Sequence, residues 1–204
     1  MMRYSQIRSM DISNGEGIGV AVFTQGCPIH CFNCFNSETW DFDKGKEWTQ
    51  KEEDRVIELM KPTHIKRLSI LGGEPLIERN ITPLTNLLKR VRKSYPEKRI
   101  YVYTGQQLEN IKLDCIELFS LIDVLIDGPY IDSKKDYSLK LRGSSNQRLI
   151  NMNATFNNWL NRNEHLDNQT PFIASNIVIF DESDNITQSL QKYYNGLDEI
   201  EDIL

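Results

Sequence analysis

Short apolar runs alternate with amphipathic stretches along the first 150 residues of the chain. The apolar runs are rich in β-branched and aromatic residues, which is typical of buried strands. Between them, apolar residues recur at the three- and four-residue spacing of helices. Strands are predicted at residues 19–24, 68–71, 100–103, 123–126 and 148–150. Helices are predicted to begin after Thr49, whose spacing to Glu52 is that of a capping box, and at residues 81–91 and 114–121.

Strands that alternate with helices predict βαβ units, hence an α/β fold with a mostly parallel sheet. Ligands in such folds bind at the carboxyl ends of the strands. Four of the predicted strands end in loops that start at Gly26, Gly72, Thr104 and Asp127, and these loops are expected to face one cavity. Because about five strands are too few to close an eight-stranded barrel, the predicted architecture is an incomplete, laterally open (β/α) barrel.

Three cysteines follow the first of these strands with the spacing C-x3-C-x2-C: Cys27, Cys31 and Cys34. Thiolates so close together suit an iron–sulfur cluster, whose irons are held by cysteine sulfur. A four-iron cluster needs four ligands and this loop provides three, so one iron stays open to a small molecule. An open position distinguishes catalytic from structural metal sites. The loop therefore predicts an enzyme rather than an electron carrier.

The cysteines admit two other interpretations, a structural zinc site and a disulfide framework. A structural zinc would need His30 as its fourth ligand, but His30 and Cys31 are adjacent and would strain a tetrahedral site. A disulfide framework is a poor fit, because four cysteines among 204 residues are sparse and the N-terminus does not read as a secretory signal. The fourth cysteine, Cys115, is predicted to be a core residue. It shares a helical face with Leu118, Phe119 and Ile122.

Two further strand ends carry candidate ligand-binding residues. After the second strand, Gly72 and Gly73 would let a ligand approach the backbone closely, and the Glu74 carboxylate would accept a hydrogen bond from a cationic amine. Asp127 is either a turn former or a ligand-binding residue. The donor-rich loop at residues 142–147 is either a flexible surface turn or an anion site built on Arg142.

Composition narrows the class of protein. Charged residues make up 26% and hydrophobic residues 39% of the chain, which is ordinary for a globular protein. No apolar run approaches the ~20 residues that a membrane helix needs. The net charge of −5 argues against nucleic-acid binding as the main activity. Free cysteines without an export signal predict a reducing cytoplasm.

Charge also divides the chain near residue 150. Residues 151–204 contain nine acidic side chains against two basic ones, Arg162 and Lys192. We therefore expect a catalytic domain at residues 1–150 and an acidic extension at residues 151–204. A strand is predicted at residues 177–180 and a short helix at residues 186–194. The extension is either a docking surface for a basic partner or a solvated segment with no role.

In combination, these motifs resemble the radical S-adenosylmethionine superfamily, and within it the activating proteins of anaerobic ribonucleoside-triphosphate reductases. The cysteine spacing is specific for the superfamily. The segments that point to the activases are Asp11 to Gly17, Phe35-Asn36, Gly72 to Pro75, Tyr103 to Gly105, Asp127 to Tyr130 and Arg142 to Gln147. The resemblance spans residues 5–150. Glu16 stands where this group often has proline, and residues after 155 match nothing in it.

The resemblance implies that Cys27, Cys31 and Cys34 hold a [4Fe–4S] cluster whose open iron binds S-adenosylmethionine. It implies that the cofactor lies against Asn33, Phe35, Gly72, Gly73, Glu74, Thr104 and Asp127. Reductive cleavage would give a 5′-deoxyadenosyl radical that takes hydrogen from a glycine of the reductase. A flavodoxin- or ferredoxin-like protein would supply the electron.

Other radical S-adenosylmethionine enzymes share the cysteine spacing, among them pyruvate formate-lyase-type activases and deazaguanine synthases. The loop at residues 142–147 favours the reductase activases. A non-catalytic zinc or iron–sulfur module is the alternative from another class, and the lack of a fourth clustered cysteine argues against it.

Overall fold

The computed structural model describes residues 1–111, 115–162, 172–181 and 183–190. These residues form one seven-stranded sheet with four α-helices up to residue 162 and a further helical stretch at residues 186–190. The strands are β1 (Arg3–Asp11), β2 (Gly19–Thr24), β3 (Lys46–Glu47), β4 (Arg67–Gly72), β5 (Arg99–Tyr103), β6 (Val124–Asp127) and β7 (Arg148–Asn151). The helices are α1 (Gln50–Met60), α2 (Glu78–Ser94), α3 (Ile116–Ser120) and α4 (Met152–Arg162).

The sheet is open and mixed, with the order β3-β1-β2-β4-β5-β6-β7. β2, β4, β5 and β6 are parallel neighbours, whereas β1, β3 and β7 join through antiparallel pairs. The α/β class is thus confirmed, but the expectation of a mostly parallel sheet is wrong at both ends. Sequence reasoning missed β1 because its outer half, toward Asp11, is largely exposed and has no clear alternation.

The parallel strands are buried on both faces, as near-continuous apolar runs predict. Residues at alternate positions, such as Val20, Val22 and Leu68, face the main core with all four helices. The intervening positions face the opposite side, which we call the second face of the sheet. In β2 and β4 it carries Ala21, Phe23 and Leu71, and toward β7 it carries Tyr101, Val124, Ile126 and Leu149.

The predicted helix signals are confirmed where the structure describes them. Thr49 and Glu52 form the expected capping box, and α1 buries Val56 and Met60. Cys115 lies in the main core, as its helical spacing predicts. The predicted start of that helix at Asp114 lies outside the described residues. No helix in the described ranges is both long and apolar enough to cross a membrane.

The described residues beyond 150 pack on both faces of the sheet. Phe172 joins the main core, where its ring lies 5.8 Å from Phe119 and 5.7 Å from Trp159. The strand predicted at residues 177–180 is reduced to a bridge between Ile179 and Ile150. Residues 186–190 are helical, and the rest of that predicted helix lies outside the described residues, as do most acidic side chains of the extension. Its docking role stays a prediction.

Candidate functional site

The carboxyl ends of the parallel strands open into one cavity of about 820 Å³. Most residues predicted to form the site line it, although they come from three separate loops. They are Cys27, Cys31, Cys34, Phe35, Gly72, Gly73, Glu74 and Thr104. The expectation that the strand-end loops face one cavity is therefore confirmed, since Gly128 and Tyr130 of the fourth loop line it as well.

The cysteine loop is anchored at its start and reversed within. Backbone hydrogen bonds join Gly26 N to Thr39 O (2.7 Å) and Cys27 N to Trp40 O (3.1 Å). Between the cysteines, His30 and Asn33 have φ of 50° and 56°, which bend the loop back on itself. This is the structural role of Asn33, because asparagine tolerates the left-handed region better than most residues and its side chain is exposed, away from the cavity lining.

The three cysteines are free to act as metal ligands. All three are free thiols on the cavity wall, and Asn36 N donates to Cys34 Sγ at 3.4 Å. Burial raises the pKa of Cys27 and Cys31, so their thiolates need a cationic partner such as iron. Within the described ranges, no group of three His, Cys, Asp or Glu side chains is arranged to hold a single metal ion. His30, the ligand that a zinc site requires, stacks its ring on Trp40 at 4.5 Å.

The Gly72-Gly73-Glu74 turn is joined directly to the cysteine loop. Gly73 N donates to Thr24 O (2.9 Å) and Glu74 N donates to Gly26 O (2.8 Å). A Cβ atom on Gly73 would lie 2.4 Å from Gly26 O, so only glycine permits this approach. Gly72 has φ of 110°, in the region that favours glycine. Both glycines thus serve loop-to-loop packing, a role that the sequence interpretation of close ligand approach missed.

The Glu74 carboxylate connects the ends of β4 and β5 beneath the cavity. Its Oε1 accepts hydrogen bonds from Leu76 N (2.9 Å) and Thr104 Oγ1 (2.7 Å), and its Oε2 accepts one from Gly105 N (2.8 Å). The residue is only 1% exposed. Burial raises the pKa of this carboxyl, and the three donors offset the rise only in part.

Asp127, by contrast, is held by protein groups away from the cavity lining. Its carboxylate accepts from Arg148 Nε (2.9 Å) and Leu108 N (2.8 Å), and it is fully buried. Arg148 also donates to Glu109 at 2.6 and 2.8 Å. The next turn residues, Gly128 and Tyr130, do line the cavity. The carboxylate of Asp127 thus fixes the turn, and the backbone after it borders the cavity.

The loop at residues 142–147 is held by internal hydrogen bonds. Arg142 Nη1 donates to Gln147 O (3.0 Å), and Gln147 Oε1 accepts from Gly143 N (2.9 Å) and Ser144 N (3.2 Å). Arg142 lines the cavity, and burial lowers its pKa. Both the flexible turn and an anion-binding role for Arg142 stay predictions.

A buried ion pair that sequence reasoning missed holds another cavity loop, residues 12–18. Arg67 donates to Asp11 Oδ1 (2.8 Å) and to Ser69 Oγ (2.6 Å), which in turn donates to Asn14 O (2.5 Å). Burial opposes ionisation of Asp11, but hydrogen bonds from Arg67 and Asn14 outweigh it and hold the pKa of this carboxyl below its usual value. The pair places Ser13 and Asn14 on the cavity lining. The sequence signal that could have revealed this ion pair is Arg67, a charged residue at the start of an otherwise apolar strand.

Exposed aromatic side chains stand at the mouth of the cavity. Phe35 is 70% exposed and Tyr137 is 83% exposed. Lys135 Nζ lies 5.8 Å from the centre of the Phe35 ring and 4.6 Å from that of Tyr137, at cation–π distances. We call Phe35, Lys135 and Tyr137 the aromatic rim. Large exposed apolar side chains that cluster beside a cavity mark interaction surfaces.

Comparisons with known proteins cover the same part of the chain. A family model described as a 4Fe-4S single cluster domain matches residues 13–150. The anaerobic ribonucleoside-triphosphate reductase-activating protein of Escherichia coli K12 is 38% identical over 148 residues, which is 72% of this chain and 96% of that protein. Its namesake in Pasteurella multocida is 40% identical over 150 residues (72% and 95%), and that of Enterobacteria phage T4 is 35% identical over 151 residues (72% and 93%).

Proposed function

The chain belongs to the family of anaerobic ribonucleoside-triphosphate reductase-activating proteins, and from this premise we propose that it is a glycyl-radical activase of such a reductase. One observation carries the proposal. Within the region that the family model matches, Cys27, Cys31 and Cys34 share a cavity with the Gly72-Gly73-Glu74 turn. The family favours this function over the pyruvate formate-lyase-type activases and deazaguanine synthases that the cysteine spacing alone admits.

The three cysteine thiolates would hold the [4Fe–4S] cluster, with S-adenosylmethionine on the open iron. When bound, the reduced cluster would supply the one electron that cleaves S-adenosylmethionine to methionine and a 5′-deoxyadenosyl radical, and this radical would take hydrogen from a glycine of the reductase. The protein binds and orients the reactants and excludes water from the cavity. The family-matched residues 13–150 correspond to the predicted catalytic domain, 1–150.

Different residues would contact different parts of S-adenosylmethionine. Glu74 Oε2 would accept a hydrogen bond from the ammonium of S-adenosylmethionine, since a charge-assisted bond suits a buried carboxylate. The Gly72-Gly73 backbone would border the same end of the cofactor. Backbone at Asn33 and Phe35 and the turn after Asp127 would border the remainder. Thr104 acts through its hydrogen bond to Glu74.

We expect Glu74→Gln to weaken S-adenosylmethionine binding by roughly tenfold to a hundredfold, because a charge-assisted hydrogen bond contributes ~1.5–3 kcal/mol. The glutamine amide would also face a hydrogen-bond donor, either Gly105 N or the pair Leu76 N and Thr104 Oγ1, so stability falls as well. Calorimetric titration of the reconstituted protein measures the affinity, and thermal unfolding measures the stability. Unchanged affinity would restrict Glu74 to joining the two strands.

The same contact gives a dependence on pH. The pKa of Glu74 is raised, so the carboxyl becomes neutral at a higher pH than an exposed glutamate does. Only the ionised form attracts an ammonium, so affinity should rise as the pH rises through that raised pKa. Glu74→Gln should abolish the rise, and titrations of both proteins across the range test this.

The aromatic rim would receive the glycine-bearing segment of the reductase at the cavity mouth. We expect Tyr137→Ala to raise the KM for the reductase by roughly tenfold, as loss of an exposed aromatic anchor costs ~1–2 kcal/mol. Cleavage of S-adenosylmethionine without the reductase should change much less. Ile173→Ala, which truncates a half-exposed apolar side chain outside the rim, is the control. If Tyr137→Ala and Ile173→Ala have the same KM for the reductase, the aromatic rim does not contribute to docking.

The proposal also includes the electron donor and the curvature of the sheet. A flavodoxin- or ferredoxin-like protein would reduce the cluster, in a cytoplasm that keeps the free cysteines reduced. The open sheet would curve as an incomplete (β/α) barrel whose lateral opening admits the reductase.

Anaerobic reconstitution with iron and sulfide, followed by a dithionite-driven assay for 5′-deoxyadenosine, tests the proposal. Formation of 5′-deoxyadenosine is expected, and binding of one zinc without iron would overturn it.

A further inference from the structure

The chain continues past the region that it shares with its relatives, and the continuation contacts the cavity wall. The family model ends at residue 150, and the relatives match 72% of this chain but 96% of their own length. The described residues beyond α4 are 172–181 and 183–190. We call residues 176–190, as far as they are described, the C-terminal wall.

The C-terminal wall covers the second face of the sheet with apolar side chains. Phe180, Ile186 and Leu190 are buried there among the side chains of β5, β6 and β7 that point away from the helices. Backbone hydrogen bonds fix its path beside β7, from Asn151 N to Val178 O (2.8 Å) and from Phe180 N to Leu149 O (2.8 Å). The wall is therefore part of the folded core, despite the acidity of the extension.

Two cavity-lining residues lie in contact with the same apolar cluster. Tyr103 and Leu141 pack against the cluster that contains Phe180, Ile186 and Leu190, and both also line the cavity. The wall contributes Phe180, Ile186 and Leu190 to the cluster that supports these two lining residues. Leu141 has φ of 58°, which a leucine adopts only when its surroundings hold it there.

A second contact joins the wall to the loop at residues 12–18. The backbone N and Oγ1 of Thr187 both donate to Glu16 Oε2, at 3.0 and 2.7 Å. Ser13 and Asn14 of this loop line the cavity, and the Asp11–Arg67 pair holds its base. This contact therefore links the continuation, through Thr187, to a cavity loop in the region shared with the relatives, through Glu16.

We propose that the C-terminal wall positions one side of the S-adenosylmethionine cavity, by supporting Tyr103 and Leu141 and by holding loop 12–18 through Glu16. The identity of the ligand rests on the proposed function, whereas the support of the cavity does not. Phe180, Ile186 and Thr187 are positioning residues that act through the cavity lining. Their loss should loosen the lining and admit water from the second face.

The first experiment compares Phe180→Ala with Ile179→Ala, since Ile179 is the adjacent residue and is 49% exposed. Amide hydrogen exchange, followed by mass spectrometry on the protein without cofactors, is measured for peptides covering residues 12–18 and 103–105. Phe180→Ala should speed exchange in both peptides by roughly tenfold, and Ile179→Ala should leave it unchanged. Exchange in α1 serves as the internal standard for global destabilisation, because α1 packs on the opposite face.

The second experiment uses Thr187→Val, which removes the hydroxyl donor to Glu16 but keeps the side-chain shape. Exchange should increase in residues 12–18 and stay unchanged in residues 103–105. In the reconstituted protein, the KM for S-adenosylmethionine should rise about threefold to tenfold with little change in kcat. Glu16→Gln, which keeps an acceptor oxygen, should lie between Thr187→Val and the parent protein.

The outcomes separate this inference from the proposed function. Equal amide hydrogen exchange in the parent protein, Phe180→Ala and Thr187→Val would overturn the proposed positioning role of the wall. This holds whether or not the protein binds S-adenosylmethionine. A lower melting temperature with unchanged exchange in both peptides and unchanged KM would also overturn it, because the wall would then contribute stability alone. Faster exchange in a protein that never binds S-adenosylmethionine would support the wall and contradict the proposed function.

Discussion

Alanine in place of Cys27, Cys31 or Cys34 is expected to abolish S-adenosylmethionine cleavage, with a loss of at least a thousandfold in each single variant. The three cysteines lie on one cavity wall, and a cluster with one open iron has no ligand to spare. Iron and sulfide content after anaerobic reconstitution should fall in the same variants. The assay for 5′-deoxyadenosine and the visible absorption of the cluster measure the two effects.

Cys115→Ala is the matched control, because Cys115 is the remaining cysteine and lies in the main core. It should keep the cluster and the cleavage activity, with a cost in stability of about 1 kcal/mol for the lost buried sulfur. Full cleavage by any of the three loop variants would contradict the assignment of the cluster ligands.

Gly73→Ala is expected to disable the site from outside the cysteine triplet. Its Cβ would lie 2.4 Å from the carbonyl oxygen of Gly26, and a backbone atom cannot turn aside as a side chain does. The start of the cysteine loop must therefore shift, at a cost of ~1–3 kcal/mol of unfolding free energy. Because Cys27 follows Gly26 directly, we expect most of the cluster content to be lost as well. Denaturant unfolding and iron analysis measure the two effects.

Gly143→Ala provides the comparison for this glycine. Its Cβ would meet the edge of the Tyr130 ring at 3.2 Å, and that ring can move by a few tenths of an ångström. The variant should therefore fold and load its cluster nearly as the parent protein does. Normal iron content in Gly73→Ala would show that the Gly73–Gly26 contact is not needed for the loop.

The sequence was sufficient for the parallel centre of the sheet and for the cysteine loop. Strands β2, β4 and β5 are buried on both faces, so their apolar runs are nearly unbroken. The capping box at Thr49 is a local signal, and it too was correctly interpreted. The antiparallel strand β1 was not predicted because its outer half is exposed and its neighbour β3, at the edge of the sheet, is only two residues long.

Contacts between distant segments account for most of what the sequence could not predict. Glu74 has three protein donors from two loops, and its glycine neighbours pack against the cysteine loop. Asp127 is neutralised by Arg148, 21 positions further along the chain. A motif shows which residue types are present, but not which of them hydrogen-bond to one another. The same applies to the described part of the acidic extension, which packs through Phe180, Ile186 and Leu190.

Transfer of hydrogen from the reductase tests the central claim most directly. An anaerobic reductase whose glycines carry deuterium at the α-carbon would be mixed with the reconstituted protein, S-adenosylmethionine and dithionite. We expect a glycyl radical in the reductase by electron paramagnetic resonance, together with deuterium in the 5′-deoxyadenosine. Neither signal should appear with Cys31→Ala. Formation of 5′-deoxyadenosine without deuterium, and without a radical on the reductase, would contradict the account.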